Sequence, residues 1–229
     1  MVKQVRVTLA QGFLQAAIGA TMLAIVLTSR CSGQNFVTAT EVKGTEDLEI
    51  WAGGVAAQHG GTTTFNTEVW TAGVRWGRVL TAPHGPGWLH GSLQWSLNVI
   101  PLFIVSNLQT AYGAELDPIA FRWNFRHHGW SRPYVEMAGG VVFTNVNIPR
   151  GDTSNFNVVP KIGFGWQIFR RAERSIDAGI YAWHLSNAWT APRNPSVNGI
   201  QITVGYHWFR PRIRTTADLP GNNDIHKGP

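Results

Sequence analysis

The chain has 229 residues, of which 44% are hydrophobic and only 14% are charged, and its mean hydropathy is −0.08. This length allows one domain or one small barrel, and the mean hydropathy indicates apolar residues interleaved with polar ones rather than a bundle of hydrophobic helices. The formal net charge is +6, but the Lys and Arg residues are scattered and no nucleic-acid motif is present, so we expect no nucleic-acid partner. A single cysteine excludes an intramolecular disulfide and a cysteine-based metal site.

The N-terminal residues 1–34 have the pattern of a cleavable signal peptide. Lys3 and Arg6 provide the positive start, and residues 13–28 form an apolar stretch with small residues. An uncleaved anchor is the alternative, but this stretch is shorter than the roughly 20 residues that a spanning helix needs. Cys31 follows an arginine rather than the small residue of a lipoprotein cleavage site, so we expect no lipid attachment there.

Eight segments with alternating apolar and polar residues follow the predicted signal peptide. In the clearest of them, Ser92, Gln94 and Ser96 occupy one face while Leu93 and Trp95 occupy the other. This period of two is typical of half-buried strands. We predict strands at residues 47–56, 68–80, 88–105, 112–126, 132–146, 156–169, 176–187 and 197–209.

The predicted fold class is all-β, an eight-stranded antiparallel transmembrane β-barrel over residues 41–210. Eight strands is the smallest size of such barrels, and the 25 Gly and 11 Trp residues suit strands in a membrane. Arg75, Arg122, Glu136 and Lys161 fall on the polar faces and predict an interior ion-pair network. A water-soluble lipocalin-like barrel is the alternative, which the signal peptide and the outward tryptophans disfavour. Residues 211–229 are predicted to be a disordered tail.

The predicted topology places the end of the seventh strand at the outer rim of the barrel. If the mature N-terminus is periplasmic, odd strands run outward and the loops at residues 59–66, 147–155 and 188–196 are extracellular. His127 and His128 then lie in a periplasmic turn, and they lack further ligands at a metal-binding spacing. We expect no metal and no cofactor.

His184 and Ser186 lie two residues apart on the seventh predicted strand. They share a face with Ile176, Ala178 and Ile180, which makes it the lipid-facing side. Two residues along a strand separate Cα atoms by about 6.5 to 7 Å, so the imidazole can bend back toward the hydroxyl. Such a pair can act as base and nucleophile on an ester carbonyl of an outer-leaflet lipid. The alternative is a histidine and a serine solvated by headgroups.

The sequence HLSNA at residues 184–188, followed by RNPSVN at residues 193–198, resembles the lipid A 3-O-deacylase family of outer-membrane enzymes. The resemblance is specific over residues 178–206. It implies that Ser186 is the nucleophile, that His184 is the general base, and that Asn187 and Asn194 lie around the oxyanion site. It also implies a membrane-embedded enzyme of the bacterial outer membrane that removes the acyl chain at position 3 of lipid A in the outer leaflet.

Two positions depart from the family pattern. Ser196 stands where the family has glycine, and Asn198 stands where it has the glutamate that orients the histidine. Asn198 shares the parity of Ile200 and therefore the outer face. An amide can hold the imidazole but cannot neutralise an imidazolium, and loss of the carboxylate can reduce turnover by about 10⁴.

The sequence therefore leaves three functional alternatives. The first is an active deacylase, the second is a catalytically weak or inactive barrel with a structural or lipid-binding role, and the third is an unrelated small barrel with a cavity for a soluble ligand. Nothing in the sequence indicates an oligomeric state.

Overall fold

The protein forms eight antiparallel strands in a computed structural model that describes residues 39–57, 67–106, 110–126, 129–151, 153–171 and 173–210. The strands are β1 (Glu46–Ala57), β2 (Glu68–Val79), β3 (Gly91–Ser106), β4 (Ala111–Phe125), β5 (Ser131–Thr144), β6 (Phe156–Arg171), β7 (Arg174–Leu185) and β8 (Val197–Arg210). Short 3-10 turns lie at Ala39–Glu41 and Gly87–Leu89. The predicted signal peptide and the predicted C-terminal tail lie outside the described residues.

Each strand pairs with the next, and β1 pairs with β8 to close the barrel. In that closing ladder Ile50 lies opposite Tyr206 and Gly54 lies opposite Ile202. The predicted fold class, an eight-stranded antiparallel barrel, is confirmed. Among the described residues, no helix is long and apolar enough to cross a membrane.

Two strand boundaries differ from the prediction in ways that matter locally. β3 begins at Gly91 rather than at residue 88, because Gly87–Leu89 forms a 3-10 turn and His84 exchanges two backbone hydrogen bonds with Gly91. β7 ends at Leu185 rather than at residue 187. Ser186 nevertheless exchanges backbone hydrogen bonds of 3.2 and 2.8 Å with Val158 of β6, so the side-chain alternation of β7 continues through Ser186.

Alternate side chains along each strand face outside and inside the barrel. The outward set is apolar and exposed; for example, Ile50 is 54% exposed and Ile162 is 63% exposed. The inward set along the middle of the strands is polar and buried, and includes Arg75, Arg122 and Glu136. A closed barrel with an apolar outside suits a bilayer, because its wall has no unpaired strand edge and its apolar surface meets lipid.

The predicted interior network is present and is larger than the sequence suggested. Arg75 donates to both carboxylate oxygens of Glu136 at 3.0 and 2.7 Å, and Arg122 donates to the same carboxylate at 2.6 Å. Lys161 lies 2.8 Å from Glu115 and 2.9 Å from Asp117. Because each of these charges has a partner of opposite sign, the network compensates for the water that these groups lose.

The interior changes from polar to apolar toward the C-terminal end of β7. Eleven buried apolar side chains fill the barrel there: Val55, Val69, Phe103, Val105, Ala111, Val142, Ile148, Val159, Trp183, Leu185 and Val197. Trp183 stacks on Phe103 with ring centroids 6.5 Å apart. This apolar plug fixes the ends of β7 and β8 from within.

The two ends of the barrel differ in their connections. We call the end that holds the start of β1 and the end of β8 the inner rim, and the opposite end the outer rim. The inner rim includes the two-residue β6–β7 turn, and the outer rim includes the long β5–β6 and β7–β8 connections. The β2–β3 connection at the inner rim is also eleven residues long. Short turns face the periplasm in barrels of this kind and long loops face outward, so the β6–β7, β5–β6 and β7–β8 connections favour the predicted orientation, with the C-terminal end of β7 on the extracellular side.

Candidate active site

His184 and Asn198 lie directly opposite each other in the ladder between β7 and β8. His184 Nδ1 is 2.6 Å from Asn198 Oδ1, and the other end of the same amide, Nδ2, donates to Ser196 Oγ at 3.2 Å. An amide oxygen only accepts hydrogen bonds, so the imidazole donates through Nδ1. Nε2 therefore keeps its lone pair, and it is this nitrogen that can act as a general base.

Ser186 lies on the outer face with His184, at the point where β7 gives way to the loop. Its ladder contact with Val158 sets the direction of its side chain, and 8% of the residue is exposed. The Ser186 hydroxyl makes no hydrogen bond to any other described residue. The structure thus brings the histidine and the serine to one face without a direct hydrogen bond between them, and catalytic hydrogen bonds in unliganded enzymes are often long until substrate binds.

Asn187 holds the loop that follows Ser186 and is almost completely buried, with 1% exposed. Its backbone N–H donates to Asn194 Oδ1 at 2.9 Å, and its side-chain Nδ2 donates to the carbonyl of Arg193 at 2.7 Å. Its side-chain Oδ1 accepts from the backbone N–H of Trp189 at 3.0 Å. Both side-chain ends of Asn187 are therefore committed to the loop.

Within the described part of the chain, the side chain of Asn194 is hydrogen-bonded at only one of its two ends. Its Oδ1 accepts from Asn187, but its Nδ2 donates to no other described residue, and the side chain is half-buried. An amide donor that is held by its oxygen and free at its nitrogen can turn that nitrogen toward an oxyanion. Of the two asparagines that the sequence assigns to the oxyanion region, only Asn194 has a side-chain nitrogen with no partner among the described residues.

The backbone beside the serine adopts an uncommon conformation. Ala188 and Trp189 are consecutive non-glycine residues with φ of 51° and 61°. A left-handed conformation costs roughly 1–2 kcal/mol per residue, and such strain persists where the surrounding structure imposes it, often at functional sites. Here the hydrogen bonds of Asn187 with Trp189 and Asn194 hold the two residues in this conformation. As a result the Ala188 backbone N–H, two residues after Ser186, has no partner among the residues described.

An apolar strip continues from the pair toward the membrane centre. Ala182 follows His184 on the outer face of β7, and Ile180 follows Ala182 with 45% of its surface exposed. On the flanking strands, Ile162 lies opposite Ala182 and Ile202 lies opposite Ile180. Ala182 has a smaller side chain than these neighbours, so the apolar surface is lower next to His184 than along the rest of the strip.

The carboxylates of the barrel lie inside, on the other face of the sheet. Asp177 is on β7 but faces inward, accepts a hydrogen bond of 2.8 Å from Tyr134, and lies 3.5 Å from Arg122. Glu49 and His207 also join this interior network. The sequence did not predict this, because these residues meet only when the barrel closes. No described carboxylate on the outer face replaces the glutamate that the family pattern expects beside His184.

One group of interior side chains has the spacing of metal ligands. Atoms of Glu49, Asp177 and His207 lie within 4.8 Å of one another. However, Glu49 already lies 3.0 Å from Arg75, and Asp177 lies 3.5 Å from Arg122. Two guanidinium groups in contact with the same carboxylates compete with a cation, so this group belongs to the ion-pair network.

Comparison with known proteins gives both a family and a fold. Residues 51–207 match the family described as lipid A 3-O-deacylase (PagL), whereas no curated protein matches the sequence significantly. The solved structure of the outer membrane enzyme PagL aligns with a TM-score of 0.54 at 16% identity, covering 69% of this chain and 97% of that chain.

Other outer-membrane barrels align less well. The N-terminal β-barrel domain of Pseudomonas aeruginosa OprF aligns with a TM-score of 0.42 at 14% identity, covering 72% of this chain and 98% of the other. OprG of the same organism aligns with a TM-score of 0.42 at 8% identity, covering 76% and 99% of the two chains. Because the family match extends over most of the barrel and includes the segment from His184 to Asn198, this chain belongs to the lipid A 3-O-deacylase (PagL) family of outer-membrane β-barrels.

Proposed function

We propose that this protein hydrolyses the ester that links an acyl chain to position 3 of lipid A, with Ser186 as nucleophile and His184 as general base. The observation that carries the proposal is the alignment of His184 with Asn198 across β7 and β8, which leaves Nε2 basic on the face that also holds Ser186. The family match supplies the substrate class.

In the proposed first step, His184 Nε2 accepts the proton of the Ser186 hydroxyl while Oγ attacks the ester carbonyl. The carbonyl oxygen becomes an oxyanion, for which the candidate donors are Asn194 Nδ2 and the backbone N–H of Ala188. Collapse of this intermediate breaks the bond to the sugar oxygen, which takes the proton from His184. The products of this step are a lipid A alcohol and an acyl group bound to Ser186.

In the second step, water replaces the sugar oxygen as the attacking group. His184 accepts a proton from water, the resulting hydroxide attacks the acyl carbonyl, and Ser186 leaves with the proton that His184 returns. The net reaction consumes one water and releases a free fatty acid. The location of the pair at the outer rim, where the apolar strip ends, fits an ester bond at the junction of acyl chains and sugar.

Asn198 sets the limit on the rate. It holds the imidazole in the required tautomer, but as a neutral amide it does not offset the positive charge that His184 gains in the transition state. A catalytically weak barrel that binds lipid A is therefore the second candidate, and this substitution is the observation that favours it. We expect a slow enzyme rather than an inactive one. The contact between His184 and Asn198 supports the required tautomer, and Asn194 Nδ2 and the Ala188 N–H are two donors without partners among the described residues.

The test is mass spectrometry of lipid A incubated with the purified barrel in mixed micelles. Wild-type protein is expected to release one hydroxylated or plain acyl chain from an ester at position 3, and Ser186→Ala is expected to release none. Identical lipid A masses with wild-type protein and with Ser186→Ala after prolonged incubation favour the lipid-binding candidate.

A further inference from the structure

The inner rim carries arginines at the ends of neighbouring outward-facing columns. Arg78 is the last outward-facing residue of β2, Arg170 is the last one of β6, Arg174 begins β7 and Arg210 ends β8. β6, β7, β8, β1 and β2 are consecutive neighbours around the barrel. We call these four residues the arginine arc.

Side-chain parity shows which way the arc faces. Arg78 follows Trp76 by two residues and Arg210 follows Trp208 by two, and both tryptophans are exposed on the outer surface. Arg174 lies directly opposite Trp208 in the β7–β8 ladder. A guanidinium two residues beyond a lipid-facing aromatic ring faces the headgroup layer, not the barrel interior.

The arc has a net positive charge. Its neighbouring carboxylates are Glu46, which lies between Arg78 and Arg210 in the ladders of β1, and Glu173 in the β6–β7 turn. Arg171 and Lys43 add two more exposed cations at the same rim. The outer ends of the same strands carry no outward-facing cation among the described residues; Glu68 of β2 lies there instead.

The position of the arc relative to the candidate active site matches the thickness of a membrane. Ten residues separate Arg174 from His184 on β7, a length of about 33 Å along a strand. With the tilt of about 35–45° usual in these barrels, the height between them is roughly 25 Å, the height of the apolar band. When the arc is at the inner headgroup layer, His184 is therefore at the outer one.

We propose that the arginine arc binds anionic phospholipid headgroups of the inner leaflet and thereby fixes the depth of the barrel on the side that carries His184 and Ser186. Charge and direction support this occupant: guanidinium groups match phosphate oxygens in geometry, and the arc continues the lipid-facing surface. The proposal does not depend on catalysis, since it concerns a different rim and a different lipid.

The test is native mass spectrometry of the purified barrel in detergent with equimolar phosphatidylglycerol and phosphatidylethanolamine. Wild-type protein is expected to retain phosphatidylglycerol preferentially. At low salt, the preference for phosphatidylglycerol is expected to fall in the triple variant Arg78→Gln, Arg174→Gln, Arg210→Gln. The expected decrease is about fivefold for each arginine removed. The triple Lys variant at the same positions should retain most of it, because it keeps the charge.

The matched control is Arg150→Gln, an exposed arginine of the outer rim, which should leave the preference unchanged. Resistance of the closed barrel to unfolding in cold SDS verifies that each variant is folded. If the Gln variant does not fold, the wild-type preference must still fall as ionic strength rises. Any of three lipid-binding results would overturn the proposal: no preference in the wild type, a preference that salt does not weaken, or an undiminished preference in the folded Gln variant. Displacement of the lipid by a soluble acidic peptidoglycan fragment would also overturn it.

Discussion

His184 Nδ1 and Asn198 Oδ1 are 2.6 Å apart across two neighbouring strands of the barrel, on the surface that faces lipid. The contact fixes the imidazole tautomer without bringing a negative charge to it. A buried carboxylate at this position would also stabilise the imidazolium, so the geometry of a serine hydrolase is retained while one of its electrostatic contributions is missing. Because His184 is oriented but has no countercharge, the contribution of that charge to catalysis can be measured in this one protein.

Asn198→Glu is expected to raise the rate of lipid A deacylation, by up to about 10⁴, because the carboxylate adds a countercharge to the existing contact with His184. The measurement is the initial rate of fatty acid release. Asn198→Gln is the matched control, since it has the length of the glutamate without its charge. A glutamate variant no faster than the glutamine variant would mean that the missing countercharge beside His184 does not limit the rate.

Asn194→Asp separates the two ends of the Asn194 side chain. An aspartate still accepts the hydrogen bond from the Asn187 backbone N–H, but it loses the free Nδ2 donor. Loss of one oxyanion donor reduces kcat by about 10²–10³, so we expect a folded variant with a strongly reduced kcat. Asn194→Ala loses both ends and should also loosen the loop, which increased proteolysis would detect. A wild-type kcat in the aspartate variant would assign the oxyanion to the backbone alone.

Glu136→Leu is expected to destabilise the barrel by about 3–5 kcal/mol, the usual effect of removing one partner from a buried ion pair. Glu136 accepts from both Arg75 and Arg122, which are nearly inaccessible to water. Reversible urea unfolding in detergent measures the change. Its neighbour Val135 faces outward with 43% exposed, so Val135→Leu serves as the control and should change stability little. Equal stabilities of the two variants would mean that the remaining carboxylates, such as Glu49, fully compensate both arginines.

Most of the fold follows from the alternation of side chains along the sequence. Each of the eight predicted segments overlaps one observed strand, because a barrel wall with lipid on one side and polar groups on the other imposes a period of two throughout. The boundaries were less predictable. Gly87–Leu89 has apolar residues that continue the pattern of β3, yet its 3-10 turn is set by backbone hydrogen bonds that the pattern does not encode.

The interior was only partly predictable. Parity identified Arg75, Arg122 and Glu136 as inward, but not their partners across the barrel such as Glu49 and His207, since strand closure decides which inward residues meet. The apolar plug around Phe103 and Trp183 was not predicted either. Near the outer rim both faces of the strands are apolar, so alternation no longer separates inside from outside.

The candidate active site was also only partly predictable from the sequence. Parity placed Asn198 on the face of His184, and the ladder of β7 and β8 has these residues opposite each other. The different surroundings of Asn187 and Asn194 depend on loop geometry, in particular on the positive φ angles of Ala188 and Trp189. Local sequence gives no signal for these, because neither residue is the glycine that normally marks such a turn.

The central claim is that Ser186 and His184 form an ester-hydrolysing pair at the outer membrane surface. The most direct measurement is the mass spectrum of lipid A after incubation with wild-type protein, with Ser186→Ala and with Asn198→Glu in parallel. The account predicts loss of a single position-3 acyl chain with wild-type protein, faster loss with Asn198→Glu, and none with Ser186→Ala. Loss of the same chain at the wild-type rate with folded Ser186→Ala would contradict it.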